Sequence, residues 1–286
     1  MKSGRLFTRT CCLLGFLLST ACGSRTEKAS PDYPEFKMIV RLWPDHHKDS
    51  ALREELLQAL KKYPDFCDEV WLCMEFETFS KEAHKESARA MAVAAERLRN
   101  AGIGVSIQGI TLGHGDDFES GAARPHPELT WGNIVDARNV RTVTSSCPRQ
   151  QAFHDYLGET YALYAGLCRP SCVWLDDDLR VTYHAPARQL CFCDTCLSLF
   201  NRQHGEHWTR ETLVEALDRN EGEGRLRRQW ISFCQQSLAE VARTVARAVH
   251  EVSPGTRMGL QHANFHRELM EGRDWNPTLD ALEEET

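Results

Sequence analysis

Short apolar runs alternate along the chain with longer segments of helical periodicity. The runs are the length of buried strands, and they lie at residues 37–43, 69–74, 104–110, 171–175 and 256–261. Apolar residues three and four apart predict helices over 51–63 and 81–100, after Pro148, and over 210–252. Residues 113–146 show little periodicity and predict a long loop, a feature that in compact domains is usually functional or disordered.

Strands separated by helices predict a parallel α/β sheet, either doubly wound or of the β/α-barrel type. The first strand is followed by WPDHH at residues 43–47, which is not a glycine-rich phosphate loop. Polar residues lie instead at the ends of all five runs, where a barrel carries its active site. They are Arg41 and Asp45, Glu75 and Glu77, Gln108 and His114, Asp176, Asp177 and Asp178, and Gln261 with His262. This pattern favours a barrel with a site at that rim.

The N-terminus has the pattern of an export signal. Residues 1–9 carry three basic side chains and no acid, residues 11–18 are apolar, and small residues precede Cys22. This arrangement resembles a bacterial lipobox, in which the cysteine is lipidated. We therefore predict a signal peptide over 1–21, a polar tether over 22–36 and one domain over 37–286, held at the bacterial cell envelope by lipid alone on the periplasmic or outer-membrane face. An ordinary cleaved signal with a coincidental cysteine is the alternative.

Charge and composition narrow the function classes. The chain has 34 basic and 41 acidic side chains, a net charge of −7. Without residues 1–21 the balance is 31 against 41, or −10. Such a chain is a poor partner for nucleic acid, which is recruited by positive charge. Beyond the N-terminus no apolar run reaches the roughly 20 residues that span a bilayer. The sequence gives no indication of oligomeric state.

Cysteines point to a metal site. Nine of the twelve lie outside the N-terminal segment, and an odd number cannot all form disulfides. Cys191, Cys193 and Cys196 fall within six residues, a spacing that suits one tetrahedral metal ion. A mixture of disulfides and free thiols is the alternative.

Residues 147–201 resemble the β-galactosidases of glycoside hydrolase family 42. The resemblance rests on Cys147-Pro148, WLDDD at 174–178 and CFCDTCLSLF at 191–200, in the same order and with similar separations. It implies a (β/α)8 TIM barrel and names Cys147 as the fourth ligand of a structural Zn²⁺, beside Cys191, Cys193 and Cys196. It also places Asp178 at the position of the general acid/base glutamate.

Two departures from that family matter. Asp178 is one methylene shorter than glutamate, and Asp177 stands where the family has asparagine. Only 25 residues follow Gln261, too few for three further β/α units of roughly 30 residues each. We therefore expect an incomplete barrel of about five units, without the strand that carries the nucleophile.

Two functions stay open. One is a glycoside hydrolase that cleaves O-glycosidic bonds of oligosaccharides, with Asp178 as acid. The other is a carbohydrate-binding surface lipoprotein without activity, or an inactive fragment of such a hydrolase. In the first, Asp178 lies in a cleft beside Arg41, Glu75, Gln108 and His262, and Asp176 is neutralised by Arg41 or Arg180. The predicted substrate-binding residues are Arg41, Glu75, Gln108, His114, Asp176, Arg180 and His262, with Trp43, Trp71, Trp131 and Trp174 as candidate stacking platforms.

Overall fold

A five-stranded parallel sheet is the centre of the protein. The computed structural model describes residues 37–63, 66–76, 78–113, 129–182, 187, 190–219, 224–261 and 273–283. The strands are β1 (Ile39–Leu42), β2 (Glu69–Cys73), β3 (Gly104–Gly109), β4 (Asn133–Val135), β5 (Arg141–Ser146), β6 (Cys172–Leu175) and β7 (Arg257–Leu260). The sheet has the order β1-β2-β3-β6-β7, with every neighbouring pair parallel. The five predicted strands are thus confirmed.

Helices connect these strands. They are α1 (Pro44–Lys48), α2 (Ser50–Lys62), α3 (Lys81–Asn100), α4 (Gln151–Cys168), α5 (Asp194–His204), α6 (Arg210–Asp218), α7 (Arg225–Val252) and α8 (Trp275–Glu283). Helix α3 begins after Ser80, whose hydroxyl accepts a hydrogen bond from the Ala83 amide and caps the first turn. No helix in the described part of the chain is both long and apolar enough to cross a bilayer.

The two faces of the sheet differ because side chains alternate along each strand. Val70, Leu72, Ile107, Val173 and Leu175 are 0% exposed and belong to one core with the helices. The opposite face carries polar side chains and half-buried aromatic rings. We call it the inner face, and it comprises Arg41, Trp71, Cys73, Ser106, Gln108, Trp174 and Gly259, with Gln261 directly after β7.

Within the described residues the sheet is open. Strand β1 pairs with β2 and strand β7 pairs with β6, and the two edge strands do not pair with each other. This agrees with the prediction of an incomplete barrel of about five units.

The predicted loop over 113–146 is wrong in its second half. Strands β4 and β5 form an antiparallel hairpin there. Its turn is fixed by Asp136, whose Oδ1 accepts hydrogen bonds from the amides of Arg138 at 2.9 Å and Val140 at 3.0 Å. The sequence did not predict this hairpin because apolar and polar residues do not alternate in β5, which reads RTVTSS.

Candidate functional site

Four cysteine side chains meet beside the hairpin. Cys147 follows β5, Cys191 and Cys193 come just before α5, and Cys196 lies in the first turn of that helix. The four sulfur atoms are within 4.8 Å of one another, and Cys147 Sγ is 3.5 Å from Cys193 Sγ and 3.6 Å from Cys196 Sγ. All four side chains are buried and none forms a disulfide. The cluster can bind one metal ion.

The chemistry of these thiols favours a cation. Hydrogen bonds from Cys147, Cys191 and Cys196 lower the pKa of the Cys193 thiol. The same contacts raise the pKa of Cys147, mainly through Cys191, and of Cys196, mainly through Cys147. One thiolate is thus stabilised by its neighbours, and further thiolates in so small a volume require a positive charge between them.

Apolar and aromatic groups surround the cluster. The Phe192 ring stacks on Trp230 with centroids 4.8 Å apart, and Trp230 also stacks on Phe233. The Phe192 amide donates to the Val135 carbonyl at 2.6 Å, which ties the cysteine segment to the hairpin. The site therefore joins β4, α5 and α7 in a region that excludes water, as a structural site does.

A second group of polar side chains lies at the C-terminal end of the sheet. Asp176 follows β6 directly, and its Oδ1 accepts hydrogen bonds from the Thr111 amide at 3.1 Å and the Thr111 hydroxyl at 2.7 Å. Thr111 lies just after β3. Through these two hydrogen bonds the Asp176 carboxylate links the ends of the neighbouring strands β3 and β6. The residue is buried, with 2% of its surface exposed.

Asp178 lies in the turn after β6 and is also buried. Its Oδ1 accepts a hydrogen bond from Arg180 Nη2 at 2.6 Å. The sequence predicts Arg41 or Arg180 as the neutralising partner of Asp176. In the structure Thr111 binds Asp176, and Arg180 binds Asp178. A guanidinium in direct contact favours a charged carboxylate.

Arg273 is a buried residue of this group that the sequence did not predict, and 1% of its surface is exposed. Its guanidinium donates to the carbonyls of Gln261 at 2.6 Å and Asp177 at 3.4 Å. It thereby holds the turn after β6 against the end of β7. No sequence signal identifies it, because it lies outside any periodic apolar pattern.

Glu75 lies two residues after β2 and contacts residues of two helices. Its Oε2 accepts a hydrogen bond from Lys48 Nζ of α1 at 2.6 Å, and its amide donates to the Tyr164 hydroxyl of α4 at 3.3 Å. Lys48 and Tyr164 belong to helices, and Glu75 Oε1 also accepts a hydrogen bond from the Phe76 amide at 3.3 Å. The sequence predicts Glu75 in the cleft beside Asp178 because it closely follows the second strand, which in the structure ends at Cys73.

The inner face carries an aromatic platform. Trp71 of β2 and Trp174 of β6 stack with centroids 4.5 Å apart and planes at 28°. The Trp174 ring lies over Gly259, where an added Cβ would come within 2.4 Å of Cε3. Both indoles are half-buried. Trp43 and Trp131, the other two candidate platforms, instead pack on Phe76 and on Phe153.

Two amides lie beside the platform. Gln108 Nε2 donates to Gln261 Oε1 at 3.0 Å, and the Cys73 thiol donates to Gln108 Oε1 at 3.4 Å. Burial raises the pKa of Cys73 to about 12, so this thiol is a neutral donor. Arg41 is exposed at the β1 side of the same face, with its guanidinium carbon 4.5 Å from the centroid of Trp43.

Three predicted residues lie outside the described ranges. They are His114, His262 and the lipidation residue Cys22. Glu77, predicted at the rim but not as a substrate-binding residue, also lies outside these ranges.

Comparison with known proteins identifies the fold. The sequence matches no protein-family model and no curated protein. The structure is similar to a β-galactosidase from the psychrophilic Marinomonas ef1, with TM-score 0.56 and 12% identity over 86% of this chain. It is also similar to the β-amylase catalytic domain of Paenibacillus polymyxa, with TM-score 0.54 and 13% identity over 87%. The fold is of the β/α-barrel type, with the barrel open in the part of the chain that the structure describes.

The predicted family resemblance is confirmed at the level of the fold. A family 42 β-galactosidase from G. stearothermophilus, solved as a catalytic mutant, is similar with TM-score 0.51 and 11% identity over 81% of this chain. The chain spans 40% of the Marinomonas enzyme, 36% of this one and 75% of the β-amylase domain. It therefore corresponds to part of the barrel proteins that it resembles.

Proposed function

We propose that this chain binds oligosaccharides at the C-terminal end of its sheet and acts there as a glycoside hydrolase. The observation that carries the proposal is the position of Asp176 and Asp178 at the end of β6, in a fold shared with glycoside hydrolases. Carboxylates at strand ends are where barrel enzymes hold their catalytic groups. The Trp71–Trp174 pair offers an apolar surface to a sugar ring, and the side chains of Gln108 and Gln261 offer partners for its hydroxyls.

In this proposal Asp178 is the catalytic carboxylate. It lies in the turn after β6, where Arg180 binds its side chain and Arg273 binds the Asp177 carbonyl. A glycosidase needs a second carboxylate about 5 Å away for retention or about 6.5–9.5 Å away for inversion. Asp176 is two residues earlier at the same strand end, and its Oδ1 accepts hydrogen bonds from Thr111.

Release of nitrophenol from aryl glycosides tests this role. The full 286-residue chain, Asp178→Asn and Asp177→Asn are assayed side by side. Asp177 is the matched control, because it receives the same chemical change at the neighbouring position. The proposal expects turnover that Asp178→Asn reduces at least about a hundredfold and Asp177→Asn leaves near the original rate. Equal rates for all three proteins contradict a catalytic Asp178.

Sugar binding without cleavage is the second candidate. It is favoured by the contact of Arg180 with Asp178, because a carboxylate held by an arginine is a poor proton donor. Binding of oligosaccharides that stay intact after prolonged incubation supports this candidate over the hydrolase.

For the cysteine cluster we propose a structural Zn²⁺. Four thiolates at about 2.3 Å from zinc form a tetrahedron with edges of about 3.8 Å, and the shortest sulfur separations of 3.5 and 3.6 Å are close to that edge. The span of 4.8 Å is wider than the roughly 4 Å expected from a tetrahedral set. Metal analysis tests it: one zinc per chain is expected, lost in Cys196→Ser and kept in Cys67→Ser, whose buried thiol lies outside the cluster.

We further propose that Cys22 is lipidated and anchors the protein to the cell envelope. The support is the order of basic, apolar and small residues before it. Labelled palmitate supplied to bacteria that express the full chain should enter the protein and should be lost in Cys22→Ala. Cys12→Ala, within the predicted signal peptide, is the control and should keep the label.

A further inference from the structure

Arg41 is a cation on the inner face without an acidic partner among the described residues. It is exposed and lies opposite Trp71 in the register of β1 and β2. Its guanidinium lies over the Trp43 ring. An arginine on a helix surface would be solvated as a matter of course. Arg41 instead stands on the sheet face that carries the aromatic platform and the two glutamines.

The carboxylates that follow the neighbouring strands already have partners. Glu75 binds Lys48, Asp176 binds Thr111 and Asp178 binds Arg180. Among the described residues, Arg41 is therefore a positive group at the β1 edge of this face that these three carboxylates leave uncompensated. Arg41 acts on this site electrostatically, because its charge opposes the rise in the pKa of the Cys73 thiol.

We infer that the site takes an acidic sugar, a hexuronic acid residue whose carboxylate is bound by Arg41. This inference rests on the proposed function and specifies its substrate class. The planar guanidinium forms paired hydrogen bonds with a carboxylate, while the Trp71–Trp174 pair stacks against the apolar side of the ring. The chain has a net charge of −7, so long-range repulsion opposes the approach of an anionic ligand. Recognition consequently depends on the local contact with Arg41.

The matched probes are uronic acid trisaccharides and their neutral methyl esters. Trimers of galacturonate, glucuronate and mannuronate are each titrated into the full chain, and binding is followed by tryptophan fluorescence and calorimetry. We expect at least one acid to bind about tenfold or more tightly than its ester, since hydrogen bonds to charged groups are the strong ones. Arg41→Gln should remove this preference, and Arg41→Lys should keep only part of it.

Arg257→Gln is the control variant. Arg257 is exposed on the same face at the opposite edge, beside Cys172, and it carries the same charge. Its substitution should leave the preference for the acid unchanged. Circular dichroism confirms that the variants are folded, which Arg41→Gln should be because its side chain is exposed.

Three other outcomes of this binding experiment would contradict the acidic subsite, the role of Arg41 or the proposed sugar binding. If acids and esters bind equally well, the acidic subsite is wrong and the proposed sugar binding stands. If Arg257→Gln weakens acid binding as much as Arg41→Gln, general positive charge rather than Arg41 recognises the ligand, and the inference fails. If the chain binds neither these acids and esters nor neutral galacto- and gluco-oligosaccharides, the proposed function fails with it.

Discussion

Acid should destabilise this protein through one buried histidine. His47 of α1 is 1% exposed, and its Nε2 lies 3.4 Å from the Ser87 hydroxyl oxygen. Burial, together with the positive charge of Lys48, lowers the pKa of His47 from 6.5 to about 4, although Glu75 opposes the change. The unfolded chain thus binds a proton at a pH where the folded protein does not.

The sign and size of the effect follow. Because the folded pKa is depressed, the unfolded state holds more protons between the two values, and stability rises with pH there. The contribution is complete above about pH 6.5 and is lost as the pH falls toward 4. At 1.36 kcal/mol for each pH unit, this interval corresponds to roughly 3 kcal/mol of the free energy of unfolding.

Urea denaturation from pH 7.5 to pH 4 measures the contribution of His47 to the free energy of unfolding. The chain is compared with His47→Gln, in which an amide replaces the ring and does not ionise in this range. Carboxylates that titrate in the same window are common to both proteins and cancel in the difference. The variant should lose roughly 3 kcal/mol less than the wild type between these limits. His207→Gln, an exposed site on the segment before α6, should behave like the wild type. Parallel stability curves for the wild type and His47→Gln would refute the reasoning.

Three further results are expected. Cys193→Ser should lower the free energy of unfolding by on the order of 4 kcal/mol, as loss of a structural metal does, and a chelator that destabilises the wild type should not affect this variant in thermal melts. Gly259→Ala should cost about 1–3 kcal/mol and weaken the near-ultraviolet dichroism of the stacked indoles, because its Cβ would come within 2.4 Å of the Trp174 ring; Gly255→Ala, with open space around its Cβ, should change neither. Leu72→Ala, at a side chain that is 0% exposed, should cost about 2–5 kcal/mol in urea denaturation, and a cost under about 1 kcal/mol would contradict its place in the core.

Apolar burial made the main elements predictable. The five sheet strands lie within two residues of their predicted limits, and α3 has the predicted bounds. Helices α5 and α8 were not predicted, and neither were two very short elements, α1 and β4. Helix α1 has only five residues and reads PDHHK, and β4 has three. Such segments are held by their neighbours in the fold and carry little periodicity of their own.

The site was predictable where local spacing determines it. Three of the four cysteines lie within six residues, so their convergence follows from the chain itself. Cys147 could be placed only through the family resemblance, because no spacing rule joins it to the others. The partners of Asp178 and Glu75 depend on the course of loops and helices after the strand ends, which alternation along a strand does not describe.

The position of Cys147 in the chain has a consequence for synthesis. This cysteine comes 44 residues before Cys191, and α4 and β6 lie between them. A chain made from its N-terminus exposes the Cys147 thiol well before the other three ligands exist. During that interval the thiol is open to oxidation or to mispairing with another cysteine. Conditions that delay translation between residues 147 and 196 should therefore lower the yield of correctly assembled protein, even when the finished protein is stable.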